Sequence, residues 1–154
     1  LIAQRVNGEL SFARTLQESL LPTEKLSNVT SFDIAAKMVP AKEVGGDMYD
    51  YFLIDDQHLA IVIGDVSGKG VAASLFMGMT KAITKNTLFD NYSSLGLAIS
   101  KVNDMIVSDN KLGLFVTSWI GILDLNSGEL TYVNAGHNFP ILYKDNKRRS
   151  SYSG

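Results

Sequence analysis

The sequence predicts a single α+β domain built on antiparallel sheet, and three observations carry that expectation. The chain has 154 residues, the length of one ordinary domain of about 100–200 residues. Its strand-like segments fall in hairpin groups joined by short polar turns. Those groups bracket one central pair of helical segments instead of alternating with helices one for one. Composition agrees: 45% hydrophobic and 19% charged residues are globular values. Fourteen basic against sixteen acidic residues leave a net charge of −2, which argues against a general nucleic-acid binder. There is no cysteine, which removes disulfides, zinc thiolates, iron–sulfur clusters and thiol nucleophiles and suits a reducing, cytoplasmic compartment. No apolar run reaches the roughly 18 residues of a membrane span, and no secretory signal is visible, so no membrane contact is expected of this segment. The chain starts at Leu1, not Met, and is expected to be a piece of a longer protein.

The elements follow in order. Residues 1–21 read as a helix ended by Pro22. Ile2, Val6, Glu9, Ala13, Leu16 and Leu20 step by fours and threes, a coiled-coil-like seam interrupted by Glu9. Two readings stand for this helix: an amphipathic helix lying on its own domain, or a linker from an upstream sensory domain docking against a second copy. Phe32, Ile34, Ala36 and Met38 then alternate with Asp33, Ala35, Lys37 and Val39, as in a strand stopped by Pro40. Met48 to Ile54 and His58 to Val66 flank Asp55-Asp56-Gln57 as an antiparallel hairpin, with Leu59 to Ile63 apolar on both sides. Val71 to Leu88 reads as a helix opening after Gly70, and Tyr92 to Val107 as a second, with Ser93 or Ser94 in the capping place. Leu114 to Leu125 and Glu129 to Asn134 form another hairpin about Asn126-Ser127-Gly128. Ile141 to Lys144 begins one more strand, and Asp145 to Gly154 reads as a polar turn or tail.

Charge points to where the chemistry sits. Between Glu43 and Asp65 lie six acids and no Lys or Arg, so this window carries −6 and the rest of the chain +4. Asp55 and Asp56 are turn residues, where Asp is favoured for local hydrogen bonding. Asp47 and Asp65 each lie nine residues from Asp56, and antiparallel pairing about that turn sets them side by side. Carboxylates about 4 Å apart repel by about 4 kcal/mol at an effective dielectric near 20. A fold tolerates that with a proton, an Arg or a cation between them, and the hairpin contains no Arg. All-oxygen ligation without Cys and with two His favours Mg²⁺ or Mn²⁺ over zinc. The residues leave two readings open: loop caps, or a cation site with permissive backbone at Gly45-Gly46 and Gly68-Lys69-Gly70.

Other motifs fail on spacing. Gly64 to Lys69 has three residues between its glycines and Gly70 where a P-loop needs Ser or Thr. Gly68-x-Gly70-x-x-Ala73 lacks the acid at the end of a second strand that a dinucleotide site requires. No nucleophile elbow is present. Taken alone, His137 in Asn134-Ala135-Gly136-His137-Asn138 is a hydrogen-bonded turn histidine, and Lys144, Lys147, Arg148 and Arg149 are a solvated terminus.

Together, Val44-Gly45-Gly46-Asp47-Met48-Tyr49-Asp50, Gly64-Asp65-Val66-Ser67-Gly68-Lys69-Gly70 and Asn134 to Asn138 resemble the PPM-type metal-dependent serine/threonine phosphatases, in the bacterial RsbU/SpoIIE branch. Leu16-Gln17-Glu18-Ser19-Leu20-Leu21-Pro22 and Phe115-Val116-Thr117 are similar to the same branch, and the match runs in order from about residue 14 to 143. The resemblance implies an α-β-β-α sandwich of two antiparallel sheets flanked by helices. It divides the chain into a linker helix over 1–22 and a phosphatase domain over 23–154. It implies a binuclear Mn²⁺ or Mg²⁺ centre with Asp47 and Asp65 as ligands, Asp65 bridging, and the Val66 carbonyl as a further oxygen. Asp50, Gly68 and His137 are implied around them, Asp50 orienting the site. Two ions about 3.5–4 Å apart would acidify a shared water and clamp the phosphoryl oxygens for in-line attack, with no phospho-enzyme. The implied substrate is a phosphoserine or phosphothreonine on an anti-sigma-factor antagonist of the STAS type, whose dephosphorylation releases a sigma factor. Further family aspartates, one in a Thr-Asp-Gly-like segment and one near the domain end, have no match here. The C-terminal part of the family fold is therefore expected to be missing, with weak Mn²⁺ binding and low or no activity for this chain alone. A regulatory module of the same fold that binds without turnover is the alternative.

Overall fold

A computed structural model describes residues 2–23, 26, 31–39, 44–108, 110–144 and 147–150. Helix α1 (Ile2–Ser19) precedes a hairpin of β1 (Asp47–Leu53) and β2 (His58–Val66). Helix α2 (Gly70–Asn91), a 3₁₀ turn over Tyr92–Ser94 and helix α3 (Leu95–Ser108) follow, then β3 (Val116–Asp124) and β4 (Leu130–Ala135). These strands form one antiparallel sheet in the order β1-β2-β3-β4. Strands β5 (Ile141–Lys144) and β6 (Lys147–Ser150) form a separate two-stranded ribbon.

Period-2 alternation sorts the sheet into two faces. Met48 and Phe52 of β1, Ala60, Val62 and Val66 of β2, and Ile120 and Ile122 of β3 turn to one face and form the core with the helices. Ala73 and Met77 of α2 and Leu95 and Ala98 of α3 close it. The threes and fours between Ala73, Met77, Thr80, Thr84 and Thr87 put α2's buried positions on one stripe. Each fully buried Met77 or Leu88 contributes about 1.5–3 kcal/mol. Asp47, Tyr49, Tyr51, Ile61, Ile63 and Asp65 occupy strand positions of the opposite parity and turn to the other face.

Three expectations change. Residues 32–39 form no strand, although Phe32, Ile34 and Met38 are half-buried as their alternation requires. The segment lies along a cavity beside β1 instead of a ladder partner, and alternation without a partner does not make a strand. The expected tail contains β6, which pairs antiparallel with β5; backbone bonds hold this ribbon, so its basic sequence carried no apolar signal. On α1 the anticipated seam faces solvent except at half-buried Ala13, with Ile2, Val6, Leu16 and Leu20 all exposed. Leu10, Ala13, Gln17 and Leu21 form the stripe that is covered instead. Leu1, Pro40 and the ends of the tail lie outside the described residues. Among those described, no helix is long and apolar enough to cross a membrane.

Candidate metal centre

The hairpin puts its two terminal acids in register. Asp47 and Asp65 are direct Cα partners across β1 and β2, as equal offsets about the turn require. The ladder continues one step outward, where the Val66 amide donates to the Gly46 carbonyl at 3.2 Å. Gly46 is needed there: a Cβ would lie 2.5 Å from the Val66 carbonyl oxygen and 2.9 Å from its Cβ. Any side chain at 46 would pry apart the strand ends that bear the two acids.

Like charges directly opposite on a sheet are destabilising. The Asp47 carboxyl is accordingly raised above its ordinary range, first by burial, then by the charge and hydrogen bonding of Asp65, with the His137 charge pulling it back. Burial and the facing Asp65 thus favour the protonated form of Asp47.

Strand β3 extends the row, since Thr117 is the Cα partner of Asp65. Thr117 Oγ1 lies 3.0 Å from His137 Nδ1. His137 sits in a turn after β4 that Asn134 closes twice: its side chain accepts from the His137 amide at 2.8 Å and donates to the His137 carbonyl at 3.0 Å. Gly136, at φ +73°, makes that turn and bridges to Ser118. Asp47 and His137 line a cavity of about 570 Å³ whose other walls are residues 34–39 and Tyr49, Tyr51, Ile61 and Ile63.

Asp50 is not brought to this group. It lies three residues from Asp47 and so on the opposite face, 4% exposed, with Lys81 of α2 donating to it at 2.6 Å. Gly68, at φ +93°, turns the chain between β2 and α2. Gln17 stands in the Leu16–Pro22 motif, where the resemblance implies no role for it. Though on a largely exposed helix it is 3% exposed, and its amide donates to the Gly45 carbonyl at 2.7 Å and accepts from the Gly45 amide at 3.2 Å. The four-residue spacing of Ala13, Gln17 and Leu21 is the signal that would have found it. Thr117 stands in the Phe115-Val116-Thr117 resemblance, which implies no role for it, because its place depends on the pairing of β2 with β3.

The donor chemistry fits a hard divalent cation: two carboxylates and a backbone carbonyl, all oxygen, with the backbone cradle that Gly46 leaves open. Among the described residues no group of three or more His, Cys, Asp or Glu side chains could hold a metal, so these residues supply only part of a six-oxygen shell.

The Stage II sporulation protein E (SpoIIE) family model matches residues 55–153. The chain belongs to this family. That span holds the Asp65 and His137 motifs, while Asp47 lies upstream of it. Protein IcfG of Synechocystis is 33% identical over 89% of this chain and 26% of its own length. Phosphoserine phosphatase RsbU of Bacillus subtilis is 32% identical over 98% of this chain and 44% of its own. The chain therefore spans less than half the length of these curated relatives. The crystal structure of the RsbU and RsbW domains of Rv1364c from Mycobacterium tuberculosis superposes with a TM-score of 0.64 at 29% identity. That superposition covers 74% of this chain and 32% of the other. A mixed fold of antiparallel sheet and helices is common to both, and the RsbU/SpoIIE resemblance of the motifs is thereby shown.

Proposed function

We propose that this SpoIIE-family chain belongs to a metal-dependent protein phosphatase acting on phosphoserine or phosphothreonine of a partner protein. The observation that carries the reading is the directly opposed Asp47–Asp65 pair beside the Val66 carbonyl. In this reading Asp47, Asp65 and the Val66 carbonyl hold Mn²⁺ or Mg²⁺. When bound, such ions acidify water and offset phosphoryl charge. The chain's own part is positional. Gly46 lets the strand ends close, Gln17 holds the loop before Asp47, and the Asp50–Lys81 pair ties β1 to α2 beneath the site.

The name of RsbU, a phosphoserine phosphatase, and the company of an RsbW domain in the mycobacterial structure favour a phosphorylated STAS-type anti-sigma-factor antagonist as substrate, in the cytoplasm. The same reading keeps residues 1–22 as a linker to an upstream sensory domain, with the exposed seam of α1 offered to a second copy, and 23–154 as the phosphatase domain.

The test is Mn²⁺-dependent release of phosphate from a phosphoserine protein by the full-length protein and its Asp65→Ala form. Loss of a metal ligand should cost more than the about 10–100-fold typical of outer-shell partners. Undiminished turnover in Asp65→Ala sinks the reading. A function that survives both Asp47→Ala and Asp65→Ala would instead favour a non-catalytic interaction module. The 154-residue chain alone should bind Mn²⁺ weakly by calorimetry.

A further inference from the structure

We infer that the cavity between α2, α3 and β3 is a binding site for one small neutral molecule, with an apolar body and a hydrogen-bonding group that the Thr80 hydroxyl anchors. The inference is independent of the phosphatase reading.

The cavity has a volume of about 150 Å³. Ile99, Val102 and Ile106 of α3 and Val116 and Ile120 of β3 supply its apolar walls. Thr80 and Thr84 of α2 and Ser118 of β3 add hydroxyls. Val107 and Phe115, also on the wall, are exposed and leave a way in from solvent. Ser118 and Thr117 are strand neighbours and so turn to opposite faces of the sheet. This cavity is therefore on the helix side, separate from the one that Asp47 and His137 line.

Thr80 is the residue that calls for a ligand. It is 2% exposed, and its Oγ1 is buried with no hydrogen-bond partner among the described residues. A threonine inside a helix can return its hydroxyl to the carbonyl one turn back. Thr80 does not, although its side chain lines the cavity. A buried hydroxyl left unsatisfied is unfavourable, so a polar group placed beside it binds with that gain. Water fills the space poorly. A volume of about 150 Å³ is room for about five waters, each of which needs two to four polar partners. The wall offers them three hydroxyls, and Asn110 already uses its side-chain amide on the backbone of Leu114. A single molecule that covers the apolar walls and turns one polar group to Thr80 satisfies both. Its charge is set as well: among the described residues no Asp, Glu, Lys, Arg or His lines the cavity. An ion would find no counter-charge there, so the occupant is neutral.

The probes are phenol and benzene, alike in body and different by one hydroxyl. In an NMR titration of the full-length protein, phenol should shift the amides of Thr80 and Ser118. It should bind about fivefold more tightly than benzene, the value of one neutral hydrogen bond. Thr80→Val, close to threonine in shape, should bind the two equally, and Thr80→Ser, which keeps the hydroxyl, should retain the preference. Without a probe, Thr80→Val should unfold at a higher temperature than the wild type, because it removes an unpaired buried hydroxyl. A wild type that responds to neither compound, or that binds benzene as tightly as phenol, overturns the inference. So does a Thr80→Val protein that still prefers phenol. A lower unfolding temperature for Thr80→Val would show that the hydroxyl has a partner within the protein, and ordered waters that stay on Thr80 in crystals soaked with phenol would show that water is the occupant; either result overturns the site.

Discussion

The two ends of the β1–β2 hairpin carry the same residue type and treat it in opposite ways. At the turn, Asp55 accepts from the amides of Gln57 and His58 and meets the His58 ring and the Tyr92 hydroxyl. Its carboxyl is held below the ordinary range, chiefly by the Gln57 amide. Asp124, at the neighbouring turn, is lowered by the amides of Ser127 and Asn126. At the open end, Asp47 and Asp65 face each other and Asp47 is raised. Between the ends, Asp50 is neutralised by Lys81. Carboxylates that build structure have their donors supplied by the fold, whereas among the described residues the facing pair at the open end receives none from outside the pair.

The largest expected effect comes from giving Asp50 the predicament of the open end. Lys81→Met leaves a buried carboxylate unpaired and should cost about 3–5 kcal/mol in denaturant unfolding. Adding Asp50→Asn should recover most of that. A small loss in the single variant would mean that Asp50 reaches solvent and that the three-way contrast fails.

Next is Gln17→Ala, which strips both bonds from Gly45 and should cost about 1–3 kcal/mol. Amide exchange should quicken at Gly45 and Asp47 and stay unchanged at Gln57 and His58. Faster exchange at both ends would show that the helix supports the whole hairpin and not its acid end.

The smallest effect separates the ends by pH. Asp47 binds its proton more tightly folded than unfolded, so its share of stability falls as pH rises from about 4 through its raised value. Asp55 and Asp124 do the reverse: their contribution is complete above about pH 4 and is lost as pH falls through their lowered values. Without metal, Asp47→Asn should therefore stabilise the protein at pH 7, by less than about 1 kcal/mol after solvent screening. That gain should vanish in acid, and Mg²⁺ should stabilise the wild type but not the variant. Destabilisation by Asp47→Asn at pH 7 without metal would break the comparison.

Much of this geometry could be read along the chain. The polar triplet at 55–57 and the equal offsets of Asp47 and Asp65 yield the register, because hairpin pairing is local and counting residues from the turn suffices. The helices at 70–91 and 95–108 followed from periodicity, with only their ends misjudged. Periodicity misled on α1, where Leu16 and Leu20 lie exposed and Gln17 is buried, because an apolar seam does not say which surface is available to cover it. The side of β1 that Asp50 takes was implicit in its parity with Asp47, but not that Lys81, 31 residues away, would meet it.

The sequence by itself determined the hairpin, its facing acids and the oxygen chemistry they offer, since each depends on neighbours within one turn of chain. Only the tertiary structure decided which carboxylate receives an ammonium, which receives amides and which pair faces only itself. It also decided that Gln17 reaches Gly45 and Thr117 reaches His137. Those partners come from other elements, and a contact between distant segments exists only once packing of the whole sheet and its helices has compensated the entropy of closing the loops between them.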